Sequence, residues 1–245
     1  VPDRLVLLDF DGTLAYREGL WSGCAIEVLD EHRPGHGIDR DRFRSAMRGR
    51  YPWNEHERAH PELCEPEAWW RDMEARLALA FEQSGAGEGA AALARALRER
   101  FIDVTVGWRL FEDTIPALEA LRGAGWWTAV LSNHVPELGQ LTAGLGLEGL
   151  VDGIFSSASI GYEKPHPEAF AHALAACGHP GEVWMVGDNP LADVAGAEAV
   201  GIPAVLVRSQ ARARRRADGL MGAVEILAAA SRPGGSACPT PQTAP

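Results

Sequence analysis

The run Leu5-Val6-Leu7-Leu8-Asp9-Phe10-Asp11-Gly12-Thr13-Leu14 constrains this chain more than any other stretch. Its apolar half is short, lacks helix punctuation and stops at Gly12, which predicts a fully buried strand running into a turn. Side chains alternate along a strand, so Asp9 and Asp11 share one face at its carboxyl end, where open α/β sheets bind ligands. Two carboxylates placed there repel each other and resist desolvation. A divalent cation removes that conflict. The simplest chemistry for such a pair is a nucleophile and metal ligand beside a group that donates and accepts protons.

Beyond this stretch the chain follows two grammars. Apolar residues recur at helical spacing through 25–32, 39–50, 66–84 and 89–104, as in Trp69, Met73, Leu77 and Phe81. No strand is predicted in that region, so residues 16–106 read as an all-helical cap domain. From Trp108 onward, short buried strands at 126–131, 153–156, 183–186 and 203–207 alternate with helices at 114–122, 136–145, 167–176 and 190–200. Asp113 is expected to cap the first of these helices, while Pro167 and Pro190 open later ones. Strands alternating with helices imply parallel pairing through right-handed crossovers. The predicted class is α/β, a Rossmann-like parallel sheet core (1–15 and 107–230) with the helical cap domain inserted in it. Residues 231–245, rich in Pro, Gly, Ser and Thr, read as a disordered tail.

Composition narrows the function. A net charge of -11 over 245 residues argues against a nucleic-acid backbone as the main partner. The sequence holds no apolar stretch of membrane length and no basic, apolar leader, and its four cysteines lack metal-ligand spacing. A soluble cytoplasmic protein is the expectation, with neither nucleic acid nor membrane as partner. Arg208, Arg212, Arg214, Arg215 and Arg216 read as a solvated basic face. Twenty-two arginines accompany a single lysine, Lys164, which draws attention to that position.

Three more clusters fall at predicted strand ends. Ser132-Asn133 offers a hydroxyl and an amide just before a helix whose N-terminal amides favour an anion. Lys164-Pro165 offers a point positive charge. Gly187-Asp188-Asn189-Pro190-Leu191-Ala192-Asp193 supplies two further carboxylates, Asp188 at a strand tip and Asp193 in the first helical turn. Hard oxygen ligands from Asp9, Asp188 and a backbone carbonyl suit Mg²⁺. Together with Lys164 and Ser132 they would surround a phosphoryl group with positive charge and donors.

In this order and spacing, the four motifs resemble those of the haloacid dehalogenase superfamily in its phosphatase branch. The match runs from residue 4 to about 207. The resemblance implies that Asp9 attacks phosphorus to form an aspartyl-phosphate, and that Asp11 protonates the leaving oxygen and then activates water. It implies that Ser132, Asn133 and Lys164 hold the phosphate and that Mg²⁺ is the cofactor. Asp9, Asp11, Asp188 and Asp193 form the metal-site carboxylates, with Asp193 either supporting the metal or orienting Lys164. The insert after the first motif matches a C1-type cap, whose closure excludes water and selects the substrate. The presence of Asp11 argues against the dehalogenating branch, and a cap free of lysine excludes the branch that forms a Schiff base. A phosphomutase and a catalytically silent binding module are the alternatives.

The cap is rich in aromatic and cationic residues. Arg17, Trp21, Trp53 and His56 are expected to line the leaving-group pocket, with Arg17 placed to meet a second anionic group. The expected partner is a small phosphorylated metabolite, bound by a monomer or a homodimer.

Overall fold

The computed structural model describes residues 2–230, so the predicted tail at 231–245 lies outside the described residues. Leu5 to Leu8 are almost wholly excluded from solvent in β1 (Arg4–Leu8). Leu5 and Leu7 face one apolar cluster and Val6 and Leu8 face another, because helices cover both sides of the sheet. That burial on two faces is why the strand reads as a continuous apolar run rather than an alternating one.

The chain then makes a short strand, β2 (Ala15–Arg17), and enters four helices: α1 (Leu20–His32), α2 (Arg40–Met47), α3 (Pro66–Ser84) and α4 (Ala90–Ile102). It returns through β3 (Trp108–Leu110), which pairs antiparallel with β2. The first strand of this ribbon, which takes in residues 16 and 17, corrects the expectation that residues 16–106 hold no strand. Three residues are too few to show a period, and the two strands form because the outgoing and returning chains run side by side and satisfy each other's backbone groups.

The core continues with α5 (Thr114–Gly123), β4 (Trp127–Ser132), α6 (Leu138–Gly144), β5 (Gly153–Ser156), α7 (Ser157–Ile160) and α8 (Pro167–Ala176). After β6 (Glu182–Gly187) comes a π-helical turn at Pro190–Ala195, running into α9 (Gly196–Ala199). The described chain ends with β7 (Ala204–Val207), β8 (Arg216–Ala217) and α10 (Leu220–Ala230). The six-stranded sheet runs β5-β4-β1-β6-β7-β8, and all its pairings are parallel. β1 lies between β4 and β6, so the carboxyl ends of three strands carrying Asp9, Ser132 and Asp188 converge.

Helical insert and sheet share one apolar cluster, which contains Val6 and Leu8 together with Trp70, Leu77 and Phe101. Two other local expectations change. Asp113 does not cap its own helix; its carboxylate accepts from the Leu220 N–H at 2.7 Å and from Arg208. Part of the basic run is structural, since Arg208 donates to the Thr13 carbonyl and lies over Phe111, and Arg215 lies over Trp184. No helix among the described residues is long and apolar enough to cross a membrane.

Candidate active site

The first site loop is a tight turn in which the Phe10 carbonyl accepts from the N–H groups of Thr13, Leu14 and Ala15 at 3.0–3.2 Å. Gly12 holds φ at 76°, and a side chain there would run into the Asp188 carboxylate. Gly187 plays the same part toward Asp193, whose carboxylate occupies the space a β-carbon would need. Two glycines thus let the carboxylates crowd together.

Lys164 is buried at the centre of this group. Its Nζ donates to Asp9 Oδ1 at 2.9 Å and to Asp193 Oδ1 at 2.5 Å. Asn133 fixes the lysine backbone from both sides: its Nδ2 donates to the Lys164 carbonyl at 2.8 Å, and its Oδ1 accepts from the Lys164 N–H at 2.7 Å. The other Asp193 oxygen accepts from the Asn189 N–H at 2.9 Å. Asn189 Oδ1 in turn caps the π-helical turn by accepting from Leu191 and Ala192. Asp193 therefore uses one oxygen to orient Lys164 and the other to close its own loop.

Burial and mutual repulsion shape the titration of these groups. Desolvation pushes the Asp11 carboxyl well above the usual carboxylate range, with Asp9 and Asp188 adding to the effect. Desolvation, followed by Asp9 and Asp193, pushes Asp188 up to about 7. Asp193 is raised by burial against the opposing pull of Lys164. Burial works against the Lys164 ammonium, but Asp193 and Asp9 outweigh it and hold the lysine charged. One oxygen each from Asp9, Asp188 and Asp193 lies within 4.8 Å of the others, so these three carboxylates could hold a metal ion. A hard cation fits this oxygen-only set and would relieve the repulsion that raises Asp188.

The open cleft above these groups has a volume of about 270 Å³. Asp9, Asp11, Ser132, Asn133, Lys164, Asp188, Asp193 and Trp53 line it, with Leu20 and Asn189 beside them. Asp11 lines the same cleft as the three carboxylates that could hold the ion, close enough for Asp9 and Asp188 to act on its titration.

Three predicted cap residues do not join the lining. Arg17 is buried, donating through Nε to Cys24 Sγ at 2.8 Å and pairing with Glu27 at 2.6 Å. An arginine on β2 is drawn inward by Glu27, about two helical turns into α1, which removes it from any substrate anion. Trp21 stacks on Phe101 at 3.9 Å with an interplanar angle of 13°, so it belongs to the insert's core. His56 lies near Trp53 in sequence, yet it is absent from the cleft wall. Sequence reasoning passed over Leu20, which carries no signal, and Asn189 and His134, whose position directly after Asp188 and Asn133 could have drawn attention to them. His134 is fully enclosed, and burial pushes its imidazole down to about 3.

Fold and site together define a class: a Rossmann-like α/β protein whose parallel strands deliver carboxylates and a buried lysine to one cleft. Residues 4–201 match the family described as haloacid dehalogenase-like hydrolase, and the chain belongs to that family. It is 38% identical over 130 residues to a phosphoserine phosphatase of Thermus thermophilus, covering 52% of this chain and 51% of that protein. It is 33% identical over 142 residues to haloacid dehalogenase-like hydrolase domain-containing protein 3 of Mus musculus, covering 57% and 55%. The chain thus spans about half the length of the curated relatives it matches. A HAD phosphatase structure from Thermococcus onnurineus superposes with a TM-score of 0.62 at 25% identity, over 91% of this chain and 97% of that one.

Proposed function

We propose that this chain is a Mg²⁺-dependent phosphatase that hydrolyses a phosphate monoester of a small metabolite through an aspartyl-phosphate. The observation that carries the reading is the pairing of Lys164 with Asp9 at the floor of a cleft that also presents Asp11. A phosphate seated over Asp9 would meet the Lys164 ammonium and the Ser132 hydroxyl. In the first half-reaction an Asp9 oxygen forms a bond to phosphorus, the bond to the leaving oxygen breaks, and Asp11 gives that oxygen its proton. In the second, Asp11 takes a proton from water as the water oxygen bonds to phosphorus, and the bond to Asp9 breaks. The upward push on the Asp11 carboxyl, from burial first and then from Asp9 and Asp188, is in the direction an acid role needs.

Asp9 and Asp188, with a backbone carbonyl and with Asp193 in support, would hold Mg²⁺, which supplies positive charge against the phosphate oxygens. The insert contributes Leu20 and Trp53 to the lining, both uncharged. That wall favours a leaving group with a flat or apolar face over one carrying a second anion. Phosphatase naming among the relatives supports the reaction class, while the substrates of those proteins do not transfer through partial coverage. The free thiols of Cys24, Cys64 and Cys177 support a reducing compartment such as the cytoplasm.

The test is phosphate release from p-nitrophenyl phosphate, sugar phosphates and nucleotides with Mg²⁺, with EDTA and Asp9→Asn controls. Release that needs Mg²⁺ and falls by about a thousandfold or more in the variant is expected, since nucleophile removal is among the costliest changes an enzyme can suffer. Comparable release by Asp9→Asn would remove the nucleophile assignment.

A further inference from the structure

We propose that His134 is the positioning residue for Asp11, holding the acid/base carboxyl in line with the leaving oxygen. This inference rests on the phosphatase reading above. His134 follows the Ser132-Asn133 pair as the chain leaves β4, and its side chain is 1% exposed. The backbone on which it sits is pinned on both sides: the His134 N–H donates to Ser157 Oγ at 3.1 Å, and Ser156 Oγ donates to the His134 carbonyl at 2.7 Å. The imidazole is packed among Phe10, Phe101 and Trp108, with ring centroids 5.3–5.8 Å away.

Within this aromatic cage neither ring nitrogen makes a well-formed hydrogen bond, the Val135 backbone being close enough only to act on the ring's titration. Leaving two buried polar atoms unsatisfied is costly, and an apolar ring of the same size would fill the space without that cost. The polar side chain the imidazole approaches is Asp11, whose Oδ2 lies 3.7 Å from Nε2 and whose Oδ1 is also unpartnered. That separation is just beyond a hydrogen bond, and such contacts often tighten only when substrate is bound. Phe101 belongs to α4 and Trp108 to β3, so the ring that reaches Asp11 is gripped by the helical insert and its return strand as well as by the sheet. Movement of the insert onto substrate would press His134 toward Asp11 and fix the carboxyl's direction.

The affected step is the first half-reaction, in which the Asp9–phosphorus bond forms, the phosphorus–oxygen ester bond breaks and the Asp11 proton passes to the departing oxygen. An alkoxide needs that proton, whereas p-nitrophenolate leaves without it. Because kcat/KM reports events up to departure of the leaving group, benzyl phosphate and p-nitrophenyl phosphate separate the acid function from general damage.

His134→Phe is expected to lower kcat/KM for benzyl phosphate by about tenfold or more beyond its effect on p-nitrophenyl phosphate, a part of the rate that acid catalysis supplies. His134→Gln, which sets an amide N–H near the place of Nε2, should restore most of the ratio. Equal losses on both esters, or no loss, would overturn the assignment and leave His134 a packing residue. If the phenylalanine variant fails to fold, His134→Met fills the cage adaptably and is read the same way. Wild-type protein that hydrolyses neither ester would sink the phosphatase reading and this inference with it, whereas wild-type turnover with an unchanged ratio sinks the inference alone.

Discussion

Lys164 Nζ and Asp193 Oδ1 lie 2.5 Å apart with both side chains 1% exposed, and the same ammonium reaches Asp9 Oδ1 at 2.9 Å. The lysine is the counter-charge that lets carboxylates collect under the cleft. Lys164→Met should therefore leave Asp9 and Asp193 buried without their counter-charge. Breaking a buried pair from one side costs about 3–5 kcal/mol, so a fall of that size in urea-denaturation stability is expected. Adding Asp193→Leu should recover part of the loss. A single variant as stable as the parent would mean that the pair does not neutralise the site.

Metal binding should be visible without turnover. With no cation, Asp188 is pushed up to about 7, chiefly by burial and then by Asp9. A proton and Mg²⁺ compete for the same carboxylate, so calorimetric Mg²⁺ affinity should weaken as pH falls from 8 to 6 and strengthen as it rises. At a hundred times its dissociation constant the ion should add about 2.7 kcal/mol to stability. In Asp188→Asn both effects should largely disappear, and their persistence would place the ion elsewhere.

Two tryptophans a short way apart in sequence should behave oppositely. Trp21 is stacked on Phe101 inside the insert, and truncating such a residue costs about 3–5 kcal/mol. Trp21→Ala should lower the melting temperature sharply. Trp53 is half-buried, stacked on Tyr51 at 4.6 Å, and faces the cleft. Trp53→Ala should raise KM for ring-bearing phosphates by about twofold to tenfold, the worth of one aromatic contact, with a smaller change in stability. An unchanged KM across the substrate panel would remove Trp53 from the binding wall.

Where the insert meets the core, His60 Nε2 lies 3.3 Å from Glu163 Oε1, and both side chains are at least nine-tenths buried. Glu163 raises the imidazole above its ordinary value of 6.5, against the opposing effect of burial. A histidine whose folded pKa is raised adds stability that is fully present below its unfolded pKa and is lost as pH climbs through the folded one. The melting-temperature gap between wild type and His60→Gln should thus be largest below about pH 6 and close as pH rises past neutrality. A gap independent of pH would mean that His60 contributes packing alone.

Much of the fold was legible because β1 carries a signal that survives without context. A strand covered on both faces must be apolar throughout, and its end must then announce the polar site. The helix at Pro66–Ser84 and the strand at Gly153–Ser156 were equally plain, since a proline opens one and a short apolar run makes the other. The ribbon of β2 and β3 was not legible, because its pairing joins residues about ninety positions apart and each strand is only three residues long. Asp113 misled for a related reason: its carboxylate was claimed by Arg208 and by the start of α10, both distant in sequence.

By itself the sequence determined which groups could do chemistry and which of them stand at strand ends, since strand period and chain order place Asp9, Asp11, Ser132 and Asp188 whatever the helical insert does, whereas Lys164, expected at a strand end, follows the short helix α7 instead. Tertiary structure alone decided how those groups divide their work. It gave Asp193 to Lys164 and the Asn189 amide, turned Asn133 into a brace for the Lys164 backbone, set His134 beside Asp11, and separated Trp53 in the cleft from Arg17 and Trp21 in the interior. The physical reason is that a residue's type records what it can bond to, while its partner is settled by which long-range neighbours reach it once both are buried and every polar group needs a match.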